Sequence, residues 1–105
     1  MTIKEYVDDV LCVPVTRIGN RYILEAIELV LDTRDHKFYQ RLAAILEVTP
    51  SYLEKAMRDA KTLALTYMDS ESRQDIFGKA DVPTTEYIIK ASEYYRRTYE
   101  NKEEG

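Results

Sequence analysis

The residues whose types and spacing suit them best to chemistry lie between Ser51 and Thr62. At 100° per residue, Ser51, Lys55, Arg58 and Thr62 fall on one side of a helix, bordered by Tyr52 and Asp59. Leu53, Ala56, Met57, Ala60 and Ala64 fall on the other, with Leu63 at its flank. Such a helix buries one face and holds out a polar face narrow enough for the major groove of a duplex. There lysine and arginine donate to guanine edges or phosphates, and hydroxyls bond to either. A plainer reading stands beside this one. Glu54–Arg58 and Lys55–Asp59 are both i,i+4 pairs, and a solvated amphipathic face would show them too. On the pattern alone the two readings weigh about equally.

Other chemistry finds little footing. There is no glycine-rich phosphate loop, no nucleophile motif and no spacing of metal ligands, so the expectation is a non-enzyme without metal or cofactor. Paired acids such as Asp8-Asp9 and Glu103-Glu104 read as solvated surface. Cys12 stands alone among Val10, Leu11 and Val13, and is expected as a reduced core thiol. His36, between Asp35 and Lys37, is expected at the surface.

The elements that must position these residues are helices. Only three Gly and three Pro interrupt 105 residues, and apolar positions recur at helical spacing. A first helix over residues 3–11 carries Ile3, Tyr6, Val7, Val10 and Leu11, and Pro14 ends it. Gly19-Asn20 reads as a turn, with Asn20 capping a second helix over residues 21–31 whose apolar face is Ile23, Ala26, Ile27, Val30 and Leu31. A third helix, about residues 37–47, places Phe38, Leu42, Ile45 and Leu46 inward. Thr49 is the expected cap and Pro50 the first residue of a fourth helix, about residues 50–68. A short helical turn over 72–77 ends at Gly78, and a last helix opens at Pro83-Thr84 with Thr84 as cap. Its expected inner face is Tyr87, Ile88, Ala91, Tyr94, Tyr95 and Tyr99. The fold class is all-α: a single five- to six-helix domain over residues 1–105 containing a helix-turn-helix, with residues 101–105 a disordered tail.

Charge distribution favours the same region. The net charge of −4 is unlike the basic footprint of most nucleic-acid binders. Residues 34–62, however, hold six cations against four carboxylates, a local +2 that leaves −6 for the rest. No apolar run approaches the roughly 20 residues that span a bilayer. Met1-Thr2-Ile3-Lys4-Glu5 lacks the basic and apolar regions of a signal peptide, so the expected location is cytoplasmic.

A wider set of residues carries a resemblance. Val13-Pro14, Ile18-Gly19, Tyr22 and Glu25-Ala26-Ile27 are followed by Phe38-Tyr39, Leu42-Ala43, Thr49, Ser51, Glu54-Lys55-Ala56-Met57-Arg58 and Ala60. Ile76-Phe77-Gly78 and Pro83-Thr84-Thr85-Glu86-Tyr87-Ile88 complete the series. In order and spacing, over roughly residues 6–97, this resembles the C-terminal effector domain of the stage 0 sporulation protein A family, a sporulation transcription factor. The loop after Gly78 is shorter than the family's.

The resemblance implies six helices, a fourth helix in the major groove, and a head-to-tail homodimer on tandem sites of double-stranded DNA. It also implies that Glu54 and Arg58 match recognition-helix residues in type. Lys55 stands where the family has an arginine that reads guanine, Tyr52 replaces another arginine, and Asp59 replaces a histidine. Lysine can still donate to guanine, without the bidentate fork. The stretch around residues 71–77 corresponds to one that touches RNA polymerase sigma factor, which makes Arg73, Gln74 and Phe77 candidate contacts. Phe77 matches the family, whereas Arg73 and Gln74 do not, and a core role for Phe77 is the stronger expectation. The family's receiver domain has no counterpart before residue 6, so a free-standing effector-like protein is favoured over an excised domain.

The function expected is therefore that of a sequence-specific DNA-binding transcriptional regulator, with Ser51, Tyr52, Glu54, Lys55, Arg58, Asp59 and Thr62 as the DNA-facing set. The alternative is a protein-interaction module that keeps the fold with weak or no DNA binding. It is favoured by the low pI, Tyr52, Asp59 and the tyrosine-rich last helix, although core packing is the commoner role for such rings. No long heptad seam is present, so a monomer or weak dimer is expected in the absence of DNA.

Overall fold

A computed structural model describes residues 1–100 apart from His36 and Ala80. The expectations for His36 and for the 101–105 tail lie outside the described residues.

The chain opens with a capping box. Thr2 Oγ1 accepts from the Glu5 N–H, and Glu5 reaches back to the Thr2 N–H. This starts α1 (Ile3–Glu5), which continues as a wider π-helical turn over Tyr6–Val10 and stops short of Pro14. Five further helices follow: α2 (Ile18–Thr33), α3 (Phe38–Leu46), α4 (Pro50–Tyr67), α5 (Ser70–Phe77) and α6 (Thr84–Tyr95), the last extended by a π-helical turn over Arg96–Glu100. No strand occurs among the described residues, so the fold is all-α.

The start of α2 departs from expectation. Gly19-Asn20 is no turn: both residues are buried inside the first turn of the helix, which begins at Ile18. Asn20 does not cap the helix. Its amide donates to the Asp8 carboxylate at 2.9 Å and the Val13 carbonyl at 3.0 Å, tying α2 to α1 and to the segment between them. Gly19 is there because α4 is there. A Cβ on Gly19 would overlap the Ala56 carbonyl oxygen and lie 2.5 Å from the Ala60 Cβ. Only a glycine against small residues lets two backbones approach this closely.

α2 is the central element, packed most extensively on α4 and α6. Around it Tyr6, Leu11, Ile23, Ile27, Phe38, Leu42, Leu53, Met57, Phe77, Tyr87 and Ile88 are almost wholly buried in one contiguous cluster. The two ends of the chain are pinned to each other. The Tyr6 hydroxyl donates to the Ala91 carbonyl at 2.7 Å, and the Tyr95 hydroxyl to the Met1 carbonyl at 2.8 Å. Tyr94, Tyr95 and Tyr99 pack their rings 5.1–6.4 Å from that of Tyr6. Tyr95 is thus held in the core, and Tyr94 and Tyr99 pack against it half-buried.

Three smaller corrections follow. Ile45, expected inside, is 61% exposed, because none of the described residues covers that side of the end of α3. Thr84 is not the cap of α6. Pro83 occupies that position, while Thr84 is buried and its hydroxyl donates to Glu54. Cys12 is a free thiol packed against the core, half-buried rather than sealed within it, with its backbone in the left-handed region.

Candidate nucleic-acid interface

α3 and α4 are joined by three residues, and each has a job. Glu47 ends α3 in the left-handed conformation (φ 58°), and the Val48 N–H reaches back to the Ala43 carbonyl at 3.0 Å. Thr49 then caps α4, its hydroxyl oxygen accepting from the Tyr52 N–H at 3.1 Å. Pro50 sits at the first helical position, where its lack of an N–H costs nothing.

This junction sets the phase of α4. Leu53, Met57, Ala60, Ala64 and Leu65 are buried, and Ala56 and Leu63 are half-buried. Ser51, Tyr52, Lys55, Arg58, Asp59 and Thr62 are all exposed, and Glu54 is half-buried at their margin. The structure therefore brings all seven expected residues onto one side of one helix.

Their electrostatics differ from residue to residue. Arg58 Nη1 donates to Glu54 Oε1 at 2.7 Å, while Glu54 Oε2 accepts from Thr84 of α6 at 3.4 Å. An exposed pair of this kind is worth about 0–1 kcal/mol, so Arg58 can leave it for a stronger acceptor at little cost. The second i,i+4 pair does not form. Lys55 and Asp59 make no ion pair among the described residues, which leaves an available cation and an available carboxylate one turn apart. The Thr62 hydroxyl donates to the Arg58 carbonyl within the helix, at 3.0 Å. Tyr52 is braced edge-on against Tyr22 of α2, with ring centroids 6.2 Å apart.

Two features of this surface escaped the periodicity of α4. Lys61, counted among the cations of the segment, is buried, and its ammonium donates to the Val82 carbonyl at 2.6 Å. It carries α4 toward the α5–α6 connection and adds nothing to an exposed basic face. Arg17, at the start of α2, lines the same cleft as Tyr52, Lys55 and Asp59. The one signal in the sequence that pointed there is Gly19, once it is placed in helical register opposite Ala56 and Ala60.

The candidate polymerase-contact residues separate. Phe77 is buried and stacks on Tyr87, centroids 4.7 Å apart, so its ring closes the core and is not presented to a partner. Arg73 braces the end of α4 through its hydrogen bond to the Leu65 carbonyl at 2.9 Å. Gln74 is exposed, with its amide on the Gly78 carbonyl.

Among the described residues no cluster of His, Cys, Asp and Glu could hold a metal ion, and no helix is long and apolar enough to cross a membrane. No protein-family model matches the chain, and no curated protein matches its sequence.

Proposed function

We propose that this protein is a sequence-specific, double-stranded-DNA-binding transcriptional regulator. In this reading α3 and α4 act as a helix-turn-helix, and α4 reads the major groove. One observation carries the proposal. Across a capped three-residue junction, α4 seals Leu53, Met57, Ala60 and Ala64 into the core and holds Ser51, Tyr52, Lys55, Arg58, Asp59 and Thr62 into solvent. The likeness to the sporulation effector domain supports the same assignment. With it come a cytoplasmic setting, homodimerisation on tandem sites and a sigma-factor contact; of the three candidate contact residues only Gln74 is exposed, and it departs from the family in type.

Selection of bound duplexes from a random library, followed by titration of the winner at two salt concentrations, tests the proposal. Binding that weakens with salt marks phosphate contacts. Lys55→Ala then relaxes preference at one base position by about 1–3 kcal/mol. Arg58→Ala either does the same elsewhere or weakens all sequences alike. Asp59→His tightens binding, because it removes a carboxylate from the approach to the phosphate backbone.

A second reading is a protein-interaction module with the same fold. The exposed Asp59 on the reading face, without an ion pair among the described residues, the Glu54–Arg58 pair and the net charge of −4 favour it. Absence of duplex binding even at low salt decides for this reading and against the first.

A further inference from the structure

The groove beside α4 combines residues far apart in sequence. One wall is the start of α2, where Arg17 and Ile18 stand, and the other is the face of α4 bearing Tyr52, Lys55 and Asp59. Its floor is where the backbones touch at Gly19. Both cations are available. Arg17 and Lys55 are exposed, and neither makes an ion pair or a side-chain hydrogen bond among the described residues. Arg17 occupies the cap position of α2 without using its side chain there; only its backbone is engaged, through the Pro14 carbonyl and the Asn20 N–H. Between the cations the walls are apolar, with Ile18 48% and Tyr52 51% exposed.

Resting on the reading of α4 as a groove-binding helix, we infer that Arg17 seats one phosphate of the DNA backbone over this cleft, while Lys55 on the opposite wall reaches the base edges. The dimensions lead to it. A helix with its side chains is about 10–12 Å across and the major groove about 12 Å wide, so an inserted helix has a phosphate strand along each flank. The flank of α4 that faces α2 is this cleft. The guanidinium fork of Arg17 matches phosphate geometry, and Lys55 supplies a second positive charge from the opposite wall. Apolar walls reduce the screening of both charges. Asp59 is the carboxylate facing them, and it cancels one positive charge, leaving the cleft with a net single positive charge. Arg17 thereby becomes a positioning residue that sets the register of α4 on the duplex and carries no base preference.

Arg17→Ala, with Arg17→Lys as the conservative variant, tests this on the full chain. Affinity for the selected duplex and for a scrambled one is measured from 50 to 200 mM salt. One phosphate contact contributes about 0.9 to the slope of log affinity against log salt. Over this fourfold range that is about a 3.5-fold change in affinity. Arg17→Ala is expected to lose that much slope and to weaken both duplexes alike, with Arg17→Lys restoring the slope. An unchanged thermal midpoint shows that the fold is intact. If the unsubstituted protein binds duplex with strong salt dependence and Arg17→Ala keeps the full slope, the phosphate seat is wrong while the groove reading survives. A change of base preference at one position in Arg17→Ala also overturns it, since the residue would then be reading sequence. If the unsubstituted protein binds no duplex, the seat falls together with the groove reading.

Discussion

Gly19→Ala sets two effects of opposite sign against each other, and the structure says which one wins. Gly19 is a buried residue of the first turn of α2. Replacing a helical glycine by alanine ordinarily stabilises a protein by up to about 1 kcal/mol, through helix propensity and a less flexible unfolded chain. Here the new methyl would meet the Ala56 carbonyl oxygen and, at 2.5 Å, the Ala60 Cβ. Neither atom can rotate away, because one is backbone and the other is fixed to it. Relief requires α2 and α4 to separate, and overpacking of this kind costs about 1–3 kcal/mol, occasionally more. The net expectation is a destabilisation of about 1–2 kcal/mol, or a thermal midpoint lower by about 5–15 °C for a domain of this size. Thermal and urea unfolding followed by circular dichroism measure it. Gly78→Ala is the companion variant: its left-handed φ of 75° is strained for alanine, by about 1 kcal/mol, but a Cβ there meets nothing within 4 Å among the described residues. Both variants lose stability, yet only Gly19→Ala moves α4 relative to α2. Backbone amide shifts around Ala56 and Ala60 therefore change in one and not in the other. At a temperature where both are folded, only Gly19→Ala weakens duplex binding. A thermal midpoint that rises in Gly19→Ala would refute the close approach of the two helices, and with it the geometry of the cleft.

Leu53→Ala, at a wholly buried position beside the exposed Lys55, is expected to cost about 2–5 kcal/mol in urea unfolding, whereas Lys55→Ala leaves stability within about 0.5 kcal/mol. Equal costs at the two positions contradict the phase of α4. The Tyr87 hydroxyl is buried with no hydrogen-bond partner among the described residues, and burial raises its pKa well above the usual phenol range. Because an unsatisfied buried hydroxyl costs about 1–3 kcal/mol, Tyr87→Phe is expected to raise stability by about 1 kcal/mol; a loss of that size means the hydroxyl has a partner. Burial acts to raise the pKa of Asp8, but hydrogen bonds from Asn20 and Lys4 outweigh it and hold the carboxyl below its ordinary 3.8. A depressed folded-state pKa means stability that is present above the unfolded value and lost as the pH falls through the folded one. The urea midpoint of the unsubstituted protein should accordingly drop more between pH 6 and pH 2.5 than that of Asp8→Asn, and parallel curves count against this linkage.

What the sequence determined by itself is local. The cap at Thr49, the proline at the first position of α4, the stop at Gly78 and the burial phase of Leu53, Met57, Ala60 and Ala64 all follow from backbone donors, φ preferences and the 3.6-residue period. Those forces act within a few residues, so they can be read from a few residues. Tertiary structure decided everything that depends on what lies across from a residue. Gly19 and Asn20 carry the residue types of a turn, yet they sit in a helix because Ala56 and Ala60 leave room for one and Asp8 and Val13 bind the other. Thr84 looks like a cap and is a donor to Glu54; Lys61 looks like surface charge and is bound to Val82. Ile45 keeps a core periodicity with none of the described residues over it. Arg17 joins the α4 face only through the closeness of two backbones at a glycine. Periodicity states which way a side chain points, and the partner it meets there is supplied by another segment of the chain, whose position is set by packing of the whole core.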